Sequence, residues 1–324
     1  MIEVKKIAEL TGHNGAVYAL EQAENGESFY SGSSDNIVAK WNLETLSAEK
    51  FAAKFSSIIY SLCLIPDKNI LLAGTSEGKI HVIDLQEKKE IKILQNHTQP
   101  VFDIKYRPPL ALPLNKGENS AGGGGLILSA GGDSTIAIIS TENFSTIKII
   151  KLCNAKLRAI DIYENHAAIA CGDGMIRIID LAGNAPALKG EIQAALRKGT
   201  NSIYSVKFSP DEKYLLSGGK DAHLNKWLFQ PQTSDFKLET SIPAHNYAIY
   251  SIVFSPDGKL FATASRDKTI KIWNAETFEL LLRINKENHE GHINSVNKLL
   301  WSNFSNYLIS TGDDRKVMVW EIKS

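Results

Sequence analysis

Residues Ala244–Ala275, AHNYAIYSIVFSPDGKLFATASRDKTIKIWNA, read as three short strands. Tyr250–Ser255 and Leu260–Ser265 are rich in aromatic and β-branched residues. The Pro256-Asp257-Gly258 between them supplies one fixed φ and one residue tolerant of positive φ, which makes a hairpin. A second turn, Arg266-Asp267-Lys268, leads into Thr269–Asn274, which alternates again and carries Trp273. A three-stranded meander of this size has two faces to cover and nothing to cover them with. It needs copies of itself.

The copies can be aligned within the chain. Six residues separate each turn acid from the last large residue of the third strand: Asp35 to Trp41, Glu77 to Ile83, Asp133 to Ile139, Asp173 to Ile179, Asp221 to Trp227, Asp267 to Trp273 and Asp314 to Trp320. Seven repeats tile the chain, their turn acids 42, 56, 40, 48, 46 and 47 residues apart. A period in this range belongs to radial or linear arrays rather than to one irregular core.

With these marks the chain resembles the WD-repeat β-propellers. Gly12-His13, Ala244-His245 and Gly291-His292 precede first strands, Ser-Pro-Asp recurs at Ser209–Asp211 and Ser255–Asp257, and Thr269–Trp273 is a typical third strand. The resemblance covers nearly the whole chain. It implies an all-β fold, a seven-bladed β-propeller of four-stranded antiparallel blades forming a single domain over residues 1–324. The seventh repeat ends on its third strand, with only Glu-Ile-Lys-Ser after Trp320, whereas Glu3–Leu10 is one strand too many before Gly12-His13. Residues 1–11 are therefore expected to supply the outer strand of the last blade and close the ring.

The resemblance also implies a buried His–Ser/Thr–Asp–Trp tetrad in each complete blade. These residue types suit one another: an indole N–H only donates, a hydroxyl accepts and donates, an imidazole passes the bond on, and a carboxylate ends it. By the alignment, His13, Ser31, Asp35 and Trp41 form one tetrad, His245, Thr263, Asp267 and Trp273 a second, and His292, Ser310, Asp314 and Trp320 a third. Repeat 3 keeps His97, Ser129 and Asp133 but has Ile139 in place of Trp, and repeat 5 keeps Ser217, Asp221 and Trp227 with Gly199 at the His position. Repeats 2 and 4, with Phe55 and Cys153 there and Ile83 and Ile179 at the Trp position, are expected to rely on apolar packing alone.

Lys+Arg and Asp+Glu both count 36, and this balance argues against a broad nucleic-acid footprint. Cys63, Cys153 and Cys171 have no Cys-x-x-Cys spacing and read as core or near-core thiols in a reducing compartment. The charged, alternating start has no apolar run of signal-peptide or membrane-span length, so a cytoplasmic location is the expectation. Two insertions interrupt the period. Residues 108–125, Pro-rich then Gly-rich, lengthen the first connection of repeat 3 and are expected to project from the lower face. Ala187–Thr200 reads as a long approach to a first strand, with Lys189, Arg197 and Lys198 near the upper rim and Ile192–Leu196 either a helical turn or extended.

No metalloprotease, nucleophile-elbow or phosphate-loop motif is present. Four of the eight histidines fall in the tetrad positions, and His81, His166, His223 and His289 are scattered without ligand spacing. The expectation is a non-catalytic protein with no metal and no cofactor.

Binding is more promising. In propellers of this family the residue after the first apolar residue of the inner strand commonly points to the upper mouth of the channel. Here that position holds Tyr18, Tyr60, Phe102, Arg158, Tyr204, Tyr250 and Asn297. Five of the seven are aromatic against 8% of the chain, which chance would seldom arrange. Lys156, Lys220 and Arg266 join Arg158 in a basic arc from blade 4 to blade 6. Aromatics with Arg are the composition of interface hot spots, so the expected partner is a protein or peptide, acidic or phosphorylated, bound by a propeller monomeric in itself and part of a larger complex. Two alternatives stay open: a propeller enzyme with a metal or small-ligand site in the channel, disfavoured because the inner strands offer tyrosines and apolar residues, and a nucleic-acid scaffold.

Overall fold

In the computed structural model, which describes residues 2–109, 124–182, 187–193, 202–230 and 235–323, the Pro256–Gly258 turn joins Ile249–Phe254 to Leu260–Ser265. Gly258 takes φ +70° and its N–H reaches the Ser255 carbonyl at 2.9 Å. Ile270–Asn274 and Leu280–Ile284 complete an antiparallel sheet of four. The same sheet occurs seven times, so the chain is a seven-bladed β-propeller. Blades are numbered here in chain order, and the strands of each run a to d outward from the channel.

The seventh sheet takes its d strand from the other end of the chain, as expected. Glu3–Leu10 pairs antiparallel with Val317–Lys323, Glu3 opposite Lys323 and Leu10 opposite Val317. Such closure leaves no long unpaired edge between the first and last blades.

The core lies between blades. Each apolar cluster draws on two neighbours: Leu128, Ile136 and Ile138 of blade 3, for example, pack on Leu157, Ile160 and Ile169 of blade 4. The a strands begin with a large apolar residue, and the neighbouring b strand makes room for it. A Cβ on Gly32 would stand 2.5 Å from Ile59 Cγ2, and one on Gly218 2.7 Å from Ile249 Cγ2. Glycine at these points lets adjacent blades approach.

Polar ties run through the layers of single blades. Trp41 Nε1 donates to Ser31 Oγ at 2.7 Å, His13 Nε2 lies 2.7 Å from that oxygen, and His13 Nδ1 lies 2.9 Å from Asp35 Oδ2. Because the indole can only donate, the hydroxyl accepts from it and donates its O–H to Nε2, which leaves Nδ1–H to donate to the carboxylate. Blade 6 repeats this with Trp273, Thr263, His245 and Asp267, and blade 7 with Trp320, Ser310, His292 and Asp314. In blade 3, His97 meets Ser129 at 2.8 Å and Asp133 at 3.2 Å without an indole. In blade 5, Trp227 donates to Ser217 at 2.9 Å, and Gly199 is outside the described residues.

Blades 2 and 4 depart from the expectation of apolar packing alone. In blade 2 the Phe55 ring meets His81 edge-on at 4.9 Å, and His81 hydrogen-bonds Glu90 of the d strand. In blade 4, Arg177 Nη1 pairs with Asp173 at 2.9 Å. With neither His nor Trp in the tetrad positions, the polar tie runs from strand c to strand d in blade 2 and from strand c back to the b–c turn in blade 4.

Ala187–Gln193 is the outer strand of blade 4, paired with Met175–Asp180. Lys189 therefore belongs to an outer strand, not to an approach to the inner one; Arg197 and Lys198 are outside the described residues. So are residues 110–123, which make up most of the predicted 108–125 loop. Among the described residues no helix is long and apolar enough to cross a membrane.

Candidate functional site

Every a strand carries a bulge at one place. The pairing with strand b skips one residue between Val17 and Ala19, Ile59 and Ser61, Val101 and Asp103, Leu157 and Ala159, Ile203 and Ser205, Ile249 and Ser251, and Val296 and Lys298. The skipped residues are Tyr18, Tyr60, Phe102, Arg158, Tyr204, Tyr250 and Asn297. A bulge breaks the strict alternation of a strand and re-aims one side chain. Each skipped residue lines the mouth of a cavity of about 550 Å³ at the axis.

They touch one another round the ring. Tyr18 stacks on Tyr60 with centroids 5.1 Å apart, and Tyr60 and Phe102 are 5.4 Å apart. The Arg158 guanidinium is 4.5 Å from the Phe102 ring and 5.4 Å from that of Tyr204, which meets Tyr250 edge-on at 5.5 Å. Asn297 Nδ2 donates to Val17 O at 3.2 Å and to Asp313 Oδ1 at 2.8 Å. All seven are partly exposed. Burial pushes the Tyr18 phenol up, with Asp313 adding to it, and burial also pushes Tyr250 up, so both keep their protons at neutral pH. Burial lowers the Arg158 value, against the pull of the neighbouring tyrosines, and among the described residues its Nε has no hydrogen-bond partner.

The rim positions are fixed by one backbone bond repeated in seven blades. The N–H groups of Ser34, Ser76, Gly132, Gly172, Lys220, Arg266 and Asp313 bond the carbonyls of Ala16, Ile58, Pro100, Lys156, Ser202, Ala248 and Ser295, at 2.8–3.0 Å. Lys156, Lys220 and Arg266 are exposed at this level and are not part of the cavity wall. Asp313, at the same position in blade 7, is an exposed acid that borders the cavity.

Below the mouth, the inner strands carry more charge than tyrosines and apolar residues. Glu21, Asp103, Lys105, Asp161, Lys207 and Lys298 all line the cavity. The two aspartates are bound into the fold: Asp103 accepts from Ile104 N and Ile160 N at 3.1 and 2.9 Å, and Asp161 from Phe208 N and Lys207 Nζ, both at 2.8 Å. All but the Ile104 bond cross from one blade to the next. Asp103 holds the Lys105 ammonium well above its usual range. Burial lowers Lys298 and raises Glu21. Because the bulge shifts the alternation, residues two and four after the first apolar position also face the axis. Reading the strands with that shift would have found the charges.

One cluster of metal-type donors occurs among the described residues. Cys153 Sγ, Cys171 Sγ and an Asp173 oxygen lie within 4.8 Å of one another. Asp173 is occupied by Arg177, whose charge stands where a cation would. The donor set fits thiol chemistry better than a metal.

The ring of sheets and the axial mouth define a β-propeller with one crowded face. The WD domain, G-beta repeat family matches residues 4–42, 190–227, 236–274 and 284–321, and with the seven blades this makes the chain a member of the WD-repeat β-propellers. The matched repeats contain Trp41, Trp227, Trp273 and Trp320; the unmatched ones have Ile83, Ile139 and Ile179. Among curated proteins the chain is similar to WD repeat-containing protein 91 homolog of Dictyostelium discoideum, 26% identical over 67% of the chain and 27% of that protein. It is 34% identical to human WD and tetratricopeptide repeats protein 1 over 31% of the chain and 15% of the relative. Cilia- and flagella-associated protein 57 of Mus musculus is 22% identical over 96% of the chain and 22% of its own length. The chain thus spans about a quarter or less of these relatives.

Proposed function

We propose that this propeller is a non-catalytic platform that binds a protein or peptide across its aromatic mouth. The observation that carries the reading is the bulge repeated in all seven a strands, which turns four tyrosines, a phenylalanine, an arginine and an asparagine to one opening. Aromatic rings offer large contact area at little entropic cost, with polar tips for hydrogen bonds. The partner we favour is acidic or phosphorylated. Its apolar side chains would rest on Tyr60, Tyr204 and Tyr250, and its charge would face Arg158, Lys156, Lys220 and Arg266. The channel aspartates favour a structural role over catalysis, since each already accepts from a backbone N–H of the next blade, Ile160 for Asp103 and Phe208 for Asp161. The three free thiols suit a reducing, cytoplasmic setting.

The test is capture of partners from native lysate by the wild type and by a Tyr60→Ala/Tyr204→Ala/Tyr250→Ala variant, both checked for folding by circular dichroism. Partners lost from the folded variant place binding at the mouth. Partners retained by it make the tyrosines a channel seal and end this proposal.

A further inference from the structure

Where four blades join the approach to strand a and strand b by a His to Ser or Thr hydrogen bond, blade 4 has two thiols. Cys153 stands at the His position, just before the a strand Leu157–Tyr163, and Cys171 ends the b strand His166–Cys171. Their sulfurs lie within 4.8 Å of each other. The two environments differ. Cys153 is partly exposed, with Ala155 N–H directed at its sulfur from 3.4 Å, whereas Cys171 is 0% exposed. Arg177 adds positive charge beside both.

We propose that Cys153 and Cys171 form a reversible disulfide in which Cys153 is the attacking thiol and Cys171 the resolving one, with hydrogen peroxide as oxidant. The Cys153 thiolate attacks one peroxide oxygen, the O–O bond breaks, and the departing oxygen leaves as water after taking a proton. The Cys171 sulfur then attacks the Cys153 sulfenic acid, an S–S bond forms, and a second water leaves. Two electrons pass from the thiols to one peroxide. The bond would tie covalently the two segments that the tetrads of other blades tie by hydrogen bonds.

The asymmetry of the pair supports these roles. The hydrogen bond from Cys171 comes first among the influences that bring the Cys153 thiol down to about 7; Ala155 N–H and Arg177 add to it, while burial and Asp173 oppose it. Cys171 is pushed well above the usual range by its bond to Cys153 and by burial. An accessible, low-pKa thiol beside a buried one is the arrangement of a nucleophilic and a resolving cysteine. Cys63 is 3% exposed with its thiol pushed up by burial, and serves as an internal control.

The experiment treats the reduced, full chain with hydrogen peroxide near pH 7, blocks remaining thiols with N-ethylmaleimide, and reads intact mass and a non-reducing peptide map. With labelling done in denaturant, the expected result is one maleimide adduct, on Cys63, where the untreated chain with its three free thiols takes three, a Cys153–Cys171 linked peptide, and recovery of all three adducts when dithiothreitol precedes labelling. In a Cys171→Ser variant, dimedone should trap sulfenic acid on Cys153. Should Cys171→Ser fold poorly, the wild-type map still decides. The proposal is overturned if both thiols remain labelled, if Cys153 gains oxygen without linking, or if Cys63 oxidises as fast as Cys153.

Discussion

The Arg158 guanidinium lies 4.5 Å from the centre of the Phe102 ring, joining blade 4 to blade 3 at the mouth by a cation on an aromatic face. A planar guanidinium can lie flat on a ring, which a Lys ammonium cannot. Arg158→Ala should lower the free energy of unfolding in urea by about 1 kcal/mol, and Arg158→Lys should recover less than half of that. A Lys variant as stable as the wild type would show that charge, not stacking, is what the site uses.

The distribution of tetrads predicts uneven rigidity. Blades 6, 7 and 1 carry complete Trp-to-Asp chains, while blades 2 to 4 have Ile83, Ile139 and Ile179 in place of the indole. Amide exchange should be slowest in the c strands of blades 6, 7 and 1 and faster in blades 2 to 4. Trp320→Phe, at a fully buried residue, should cost about 2–3 kcal/mol, against about 1 kcal/mol for Ile139→Val. Uniform protection around the ring would refute the idea.

Acid should destabilise the protein in two stages. Burial holds His97 and His245 below the usual value, although their aspartates pull the other way. The unfolded chain then takes up protons first, so stability is lost as pH falls below about 6.5. Burial pushes Asp35, Asp133, Asp267 and Asp314 up, but hydrogen bonds outweigh it and hold all four low. Their contribution is present above about 3.9 and is lost as pH falls through the depressed folded values. Glu21, raised by burial, has the opposite sign and loses its contribution as pH rises. Thermal midpoints should fall gently from pH 7 to 5 and steeply below 4. A flat profile down to pH 3 would contradict this assignment.

The closing strand should behave as core rather than as a tail. Leu10 is 5% exposed, and Lys6 and Lys316 pair with Glu290 and Glu9 across the seam. Leu10→Ala should cost about 2–4 kcal/mol. Deleting residues 1–11 should lower the thermal midpoint by far more than removal of a loose end. An unchanged midpoint on differential scanning fluorimetry would show that the seam carries no stability.

Much of this architecture was legible because a propeller repeats one backbone unit. The six-residue spacing from Asp267 to Trp273 recurs seven times, and the repeated Arg266 N–H to Ala248 O bond shows why the rim positions align: they are one geometry copied. The channel charges were less legible, since Asp103 and Lys298 share a position with Ala19, Ser61 and Ala159, and no motif marks a place filled so variously. In sequence the thiol pair reads as near-core sulfur, because Cys153 and Cys171 have no Cys-x-x-Cys spacing and Cys171 lies in an apolar strand run. Only the pairing of strand b with strand a brings them together. Similarly, His81 found Glu90 through the c to d ladder, which the turn acids do not index.

The antiparallel seam sets Glu3 beside Lys323, so both ends of the propeller leave from one corner. A load applied through flanking chain would pull these two residues directly apart and open the ladder one hydrogen bond at a time, as a zipper opens. Strands loaded from opposite ends would instead have to slide, breaking many bonds at once. The joint that completes the ring is thus its mechanically weakest place, and under tension the molecule would give there first, with six blades still folded.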